Sequence, residues 1–400
     1  MMERVILHCD CNSYFASVES IDRPELRDVP MAVCGDPESR HGIILAKNEH
    51  AKKYGIVTAE TVWQAMRKCP HLTLVAPRRH LYDEYCRRIN AIYGEYTDQV
   101  EAFSIDESWL DVTGSRALFG DGRRIADELR RRVREELGLT ISVGVSFNKV
   151  FAKLGSDYKK PDATTCITRE NYRRLLYPLP VRDMLFVGES AAQTLGRFGI
   201  ETIGQLAQTP RERLHAILGK MGDTLWVYAN GLDESPVRRL GESEAAKSIS
   251  NAVTFARDLL GEEDIKSGLL MLCDSVGARM RSAQVEGSTV QIQIKSPELK
   301  TISRQTTLER PTASTREIYL AAMGIVRRSW DMRRPVRMLS VGCTNFVRPD
   351  EPVQLSLFEQ ETQAHEKRLR LEETVDAIRQ KFGRSSISFA QTMKRGKDEL

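Results

Sequence analysis

Three acidic residues stand among apolar neighbours where acids are expensive. Asp10 closes a run that begins Val5-Ile6-Leu7, and Asp106-Glu107 interrupts another, between Phe103 and Ile105 before it and Trp109 and Leu110 after it. An ionised carboxylate at the end of a buried strand is costly unless it is paired or metal-bound. Acids at strand ends can converge across neighbouring strands, and a donor set of oxygens alone suits magnesium, which keeps waters and shares substrate phosphates. Two such ions about 4 Å apart lower the pKa of an attacking hydroxyl and neutralise a leaving pyrophosphate. Spacing leaves a second reading open, in which Asp10 caps a helix starting near Ser13 and Asp106-Glu107 only make a turn.

The elements that would position these acids follow from periodicity. Residues 5–10 read as a buried strand and 13–19 as the helix after it, with further strands at 31–33 and 43–46. Helical spacing follows at 49–54, 61–68 and 81–96, and 100–112 reads as two short strands joined by a tight turn at Ile105-Asp106-Glu107. Residues 123–137 form a charged helix and 140–145 alternate as a strand. Helices interleaved with a mostly antiparallel sheet predict an α+β multidomain protein. Residues 167–233 read as helical, 234–247 as a polar connector, and 289–294 as a strand accompanied by helices near 264–282 and 315–330. Beyond Pro349 a polar tail runs to a helix near 366–382.

Four hundred residues predict two to four packed domains. The hydrophobic share of 41% and charged share of 28% are those of a globular protein. No apolar run approaches the roughly 18 residues of a membrane span, so no membrane partner is expected. The amino terminus reads as a strand rather than a signal peptide. The closing Lys397-Asp398-Glu399-Leu400 spells a retention signal for a compartment that nothing here addresses, and reads as a chance match. Eight cysteines without a Cys-x-x-Cys pair predict neither a zinc site nor disulfides, and a reducing cytoplasm fits. Net charge is only +4, yet residues 247–348 hold 16 Lys and Arg against 10 Asp and Glu, a basic surface suited to a polyphosphate.

Three segments resemble the Y-family, or lesion-bypass, DNA polymerases. They run from His8 to Glu19 (HCDCNSYFASVE), from Phe103 to Asp111 (FSIDESWLD), and from Ser142 to Lys149 (SVGVSFNK), the last continuing through Ala152-Lys153 to Asp157-Tyr158-Lys159-Lys160-Pro161. The resemblance is densest over the first 165 residues and continues to about residue 350. It is nearest the DinB branch, while Asn12 resembles the UmuC branch, a catalytic subunit that needs a partner.

The resemblance implies a right-handed polymerase fold with a ferredoxin-like palm at 1–18 and 74–166, and fingers at 19–73. A helix-hairpin-helix thumb at 167–233, a linker at 234–247, a little finger at 248–348, and a tail at 349–400 would follow. It implies low-fidelity, poorly processive translesion synthesis with two Mg²⁺ ions held by Asp10, Asp106 and Glu107, and a backbone carbonyl from Cys11. Phe15 falls at the steric gate under the incoming sugar, with Tyr14 beside it as a packing residue at the nucleotide. Lys52 and Lys160 match cations on the triphosphate. Glu49 stands where many relatives have Tyr and would repel phosphate if it pointed inward. The thumb-like segment carries Phe186 where that motif usually has its first Gly. Gln354-Leu355-Ser356-Leu357-Phe358 resembles the peptide that binds the bacterial sliding clamp, so Gln354, Leu355, Leu357 and Phe358 are clamp contacts by resemblance.

Primer-template DNA, dNTPs and the β-type clamp are the implied partners of a cytoplasmic monomer. A nucleotidyl cyclase would leave the basic segment and the clamp-like peptide unexplained, and a non-catalytic DNA-binding accessory protein would not need the acids.

Overall fold

Ile6–Cys11 is β1, and all six of its residues are buried, the polar His8 and Asp10 among them. The computed structural model describes residues 3–37, 42–242, 245–348 and 359–390. The chain forms two units, Met1–Ser243 and Glu244–Leu400.

After β1 the first unit continues with α1 (Tyr14–Asp22), β2 (Met31–Cys34), β3 (Ile44–Lys47), α2 (Glu49–Lys52), α3 (Val62–Lys68), β4 (Thr73–Val75) and α4 (Arg79–Gly94). Next come β5 (Val100–Ala102), β6 (Glu107–Asp111), α5 (Arg116–Phe119), α6 (Gly122–Leu137), β7 (Ile141–Ser146), α7 (Lys149–Tyr158) and β8 (Thr164–Cys166). Five helices close the unit: α8 (Tyr172–Leu176), α9 (Glu189–Gly196), α10 (Ile203–Gln208), α11 (Arg211–Leu218) and α12 (Lys220–Ala229).

The main sheet has the order β5-β6-β1-β7-β8. Its pairs are antiparallel apart from β7 with β8. Alternation along β1 sends Leu7, Cys9 and Cys11 into a core shared with Tyr82, Ile89 and Tyr93 of α4 and Ile125, Leu129 and Val133 of α6. Each fully buried aliphatic there contributes about 1.5–3 kcal/mol. Ile6, His8 and Asp10 face the other side, where α7 packs. That packing is close because Gly144 and Gly155 meet backbone to backbone; a Cβ on Gly144 would sit 1.8 Å from the Ala152 carbonyl oxygen. A smaller sheet, β3-β2-β4, is covered by α2 and α3, with α3 opened by a Thr61–Gln64 capping box.

The second unit contains β9 (Ser248–Leu259), α13 (Gly261–Ser282), β10 (Glu286–Lys295), β11 (Thr301–Thr312), α14 (Thr315–Ser329), β12 (Val336–Val347) and α15 (Glu359–Phe382). Its sheet has the order β11-β10-β12-β9, and α13 and α14 bury their apolar sides against it. On α15, Glu372 and Asp376 pair with the buried side chain of Arg281 at 2.7 and 2.6 Å. Among the described residues no helix is long and apolar enough to cross a membrane.

Four expectations need correction. Glu107 is the first residue of β6, so the turn is Phe103 to Asp106 and the acids do not share one loop. Periodicity passed over α7, whose Gly155 and Ser156 weaken an apolar stripe that is nevertheless buried. It also passed over the 12-residue strands β9 and β11, because edge strands with one exposed face carry a weak signal and β11 includes Pro311. Finally, α15 begins seven residues before the expected start. Residues 354–358, with the clamp-like peptide, lie outside the described residues.

Candidate active site

The end of β1 builds the site. In the β1–β6 ladder Asp10 is directly opposite Glu107, and in the β1–β7 ladder it is opposite Ser142. The Cys11 amide donates to the Asp106 carbonyl at 3.0 Å, which fastens the preceding loop to the strand end. Cross-strand neighbours on one face are within side-chain reach, so the register sets the Asp10 and Glu107 carboxyls side by side, close enough for Glu107 to raise the Asp10 pKa. Asp106 faces the same field but turns its carboxyl to Ser104, whose Oγ donates at 2.6 Å. Asp10 and Glu107 are therefore brought together, with Asp106 beside them.

Burial pushes the Asp10 carboxyl up to about 7, with Lys160 pulling it back and the adjoining Glu107 raising it further. Asp106 is also raised, first by burial and then by the charge of Asp10, against the Ser104 hydrogen bond. Negative charge is concentrated at this strand end.

Helix α7 supplies cations. Lys149 and Lys153 each take one acid, and the following Lys160 takes two. Lys149 Nζ lies 2.8 Å from both oxygens of Glu101. Lys153 Nζ lies 2.9 and 3.0 Å from those of Glu107. Lys160 Nζ lies 2.8 Å from Asp10 Oδ2 and 2.8 Å from Asp157. The first two lysines are four residues apart, one helical turn, so Gly144 and Gly155 together set how deeply the row reaches. Sequence reasoning assigned no role to Lys153; its i+4 spacing from Lys149 was the available signal.

His8, two residues before Asp10 on the same face, was also missed. Its Nδ1 is 2.8 Å from Ser156 Oγ. Ser156 spends its proton on the Lys153 carbonyl at 2.7 Å, so His8 donates from Nδ1. Nε2 is buried without a hydrogen-bond partner among the described residues, 3.9 Å from Glu107 Oε2. Burial, then the charges of Lys153 and Lys160, hold its pKa well below the usual histidine range.

The residues on α1 divide. Ser13 adopts a left-handed backbone (φ 49°) just before the helix. The Tyr14 ring is buried and its hydroxyl donates to the Tyr82 carbonyl at 2.7 Å, so its side chain is a packing element. Phe15 is half-buried and lies flat on Tyr82, with centroids 4.1 Å apart. Asn12 is buried, bonded to Ser142 Oγ and to the Asp162 amide at 2.9 Å each, and so ties β1 to β7 and the Pro161 turn. Glu49 accepts from Lys52 Nζ at 2.5 Å and from Ser13 Oγ at 3.2 Å, so its charge is held by the neighbouring lysine. A cleft of about 360 Å³ opens between α1, α2 and the Pro161 turn, lined by Asn12, Ser13, Asn48, Glu49 and Asp162 among others.

A divalent cation fits on chemical grounds. Buried Asp10 and half-buried Glu107, opposite each other across the ladder, are donors whose mutual repulsion a cation would relieve, and all the side-chain donors are oxygens. Yet among the described residues no group of three or more His, Cys, Asp and Glu side chains is arranged to hold a metal ion alone. Lys153 and Lys160 hold Glu107 and Asp10 instead.

Residues 9–157 match the impB/mucB/samB family, and residues 246–357 match the C-terminal domain of that family. DNA polymerase IV of Acetivibrio thermocellus is 49% identical over 386 residues, covering 96% of each chain. The chain belongs to the DNA polymerase IV family. DNA polymerase IV 2 of Bacillus subtilis is 37% identical over 400 residues, covering 98% of this chain and 95% of that one. A solved Y-family DNA polymerase chimera shares the fold with a TM-score of 0.75 at 23% identity, covering 86% of this chain and 99% of its own. For a DNA polymerase IV family member, the Phe186 position is informative. Phe186 takes the left-handed conformation (φ 68°) that a glycine would adopt without strain, and its ring is 55% exposed.

Proposed function

We propose that this site performs template-directed nucleotidyl transfer, adding dNMP to a primer 3′-hydroxyl with release of pyrophosphate. The chain is a DNA-directed DNA polymerase for translesion synthesis, of low fidelity and low processivity. What carries the reading is the cross-strand pair Asp10 and Glu107 at the end of β1, with Asp106 alongside, in a chain of this family.

Asp10, Asp106 and Glu107, with the Cys11 carbonyl, would hold two Mg²⁺ ions, which supply charge neutralisation and an activated hydroxyl. Glu107 is on the primer side. Lys160 and Lys52 give up their carboxylate partners to meet triphosphate oxygens, a charge-assisted exchange that neutral side chains could not make. Phe15 stands under the sugar and excludes a 2′-hydroxyl. Phosphoryl transfer asks little covalent help from protein, so positioning and charge carry the rate.

Palm (1–18 and 74–166), fingers (19–73), thumb (167–233) and little finger (248–348) are the domain reading that goes with this function. The basic little finger grips phosphates without reading bases, so binding weakens steeply with salt. The peptide at 354–358 binds a sliding clamp, and the polymerase acts as a cytoplasmic monomer. The deciding experiment is primer extension on a primed template by the purified chain, undamaged and damaged, with and without Mg²⁺. Failure to lengthen any primer with Mg²⁺ present overturns the reading.

A further inference from the structure

Phe15 and Glu19 are one helical turn apart on α1, and both reach Tyr82 of α4. The Phe15 ring lies on the Tyr82 ring with planes inclined by only 11°. The Tyr82 hydroxyl donates to Glu19 Oε1 at 2.6 Å. Glu19 and Tyr82 are both fully buried. The other Glu19 oxygen accepts from Arg78 Nε at 2.8 Å, and the Arg23 guanidinium abuts it. At the start of α4 the Arg78 amide reaches the Tyr82 hydroxyl oxygen at 3.1 Å and Glu19 Oε1 at 3.3 Å. Tyr82 is thus held at both ends, by its hydroxyl and, through Tyr14, by its own carbonyl.

A carboxylate sealed from solvent survives only where several donors meet it, and apolar packing would join two helices without that cost. This knot places a short, charge-assisted hydrogen bond on the ring stacked against Phe15. A ring rejects an extra oxygen sterically only if it cannot retreat. Were Tyr82 free to tilt, Phe15 could yield by the fraction of an ångström that a 2′-hydroxyl demands.

We propose that Glu19 is a positioning residue for sugar selection: through the Tyr82 hydroxyl it holds the Tyr82 ring as a fixed backstop behind Phe15. The proposal rests on the reading of Phe15 as the sugar gate.

Single-nucleotide insertion on a primed template, with dNTP and with the matching rNTP, tests it in the wild type, Phe15→Ala, Tyr82→Phe, Glu19→Gln and the Glu19→Gln/Tyr82→Phe double variant. The readout is the ratio of kcat/KM for deoxy- over ribonucleotide, which a purely structural role would leave in place. Tyr82→Phe keeps the stacked ring and removes only the hydroxyl; it lowers the ratio on the order of tenfold, the worth of one hydrogen bond to a charged group. Glu19→Gln, whose amide oxygen still accepts but carries no charge, lowers it in the same direction, and the double variant goes no further than Tyr82→Phe, because both changes act on the same bond. Should Glu19→Gln fold poorly, Tyr82→Phe alone decides. If Phe15→Ala relaxes selection while Tyr82→Phe leaves the ratio unchanged, Glu19 serves only the fold and the proposal is overturned. Additive losses in the double variant also overturn it. If Phe15→Ala leaves selection intact, the gate reading itself fails.

Discussion

Asp10 and Glu107 face one another across the β1–β6 ladder, and each is held by a lysine, Lys160 and Lys153 respectively. Two acids from distant parts of the chain are thus set opposite each other by strand register. The pairing is strained electrostatically unless positive charge arrives.

Removing an acid should remove synthesis without removing DNA. Asp106→Ala or Glu107→Ala is expected to lower extension by about 10³-fold or more, as loss of a charge-stabilising group in the transition state does. Affinity for primed template, measured by gel shift, should stay within about twofold. Near-normal extension by either variant would remove the assigned site.

Metal dependence should be visible without catalysis. Chelation by EDTA is expected to stop extension, with recovery on adding excess Mg²⁺. In the DNA-free protein, Mg²⁺ at about ten times its Kd should stabilise the fold by about 1.4 kcal/mol through preferential binding to the folded state. Thermal unfolding of the wild type beside Asp10→Asn reads this out: the shift should vanish in the variant.

Lys160 connects the acids to the nucleotide. Lys160→Ala is expected to raise the KM for dNTP on the order of tenfold and to change kcat less, as loss of a ground-state charge contact does. An unchanged KM in steady-state insertion assays would confine Lys160 to its pairing with Asp10 and Asp157.

Glu101 offers a stability test away from the chemistry. Its buried carboxylate accepts from Lys149 and from both the backbone and side chain of Arg238, and these partners hold its pKa below the usual value against the opposing effect of burial. A depressed folded-state pKa contributes stability that is present above the unfolded pKa of about 4.3 and lost as pH falls through the folded value. Glu101→Gln should therefore cost about 2 kcal/mol near neutrality, by loss of charge-assisted hydrogen bonds. The gap between variant and wild type in urea midpoints should narrow below about pH 4. A gap independent of pH would mean that packing, not charge, sets the loss.

The clamp reading of residues 354–358 is separable from folding. Leu357→Ala with Phe358→Ala should shorten products several-fold only when a sliding clamp is loaded on the template, as expected when a peptide's apolar anchors are removed from a groove. Shortening without the clamp would indicate damage to the enzyme itself.

The primary structure by itself determined which chemistry was available. The Asp10 and Asp106-Glu107 acids and the basic segment after residue 247 are legible because charge amid apolar residues is locally conspicuous, whereas Phe15 stood out only through the family resemblance. The strand of Asp10, the helix after it and the charged α6 are equally legible, since their periods match the elements they form. Tertiary structure alone decided which groups meet. Glu107 belongs to β6 and not to the turn, and ladder register, a long-range property, sets it opposite Asp10. The lysine row of α7 became meaningful only when Gly144 and Gly155 let that helix settle onto the sheet. Tyr82 lies 67 residues from Phe15 and carries no local mark of its role; only the packing of α1 on α4 brings the two rings together. Local propensity is written in neighbouring residues, whereas convergence depends on how separate elements bury their faces.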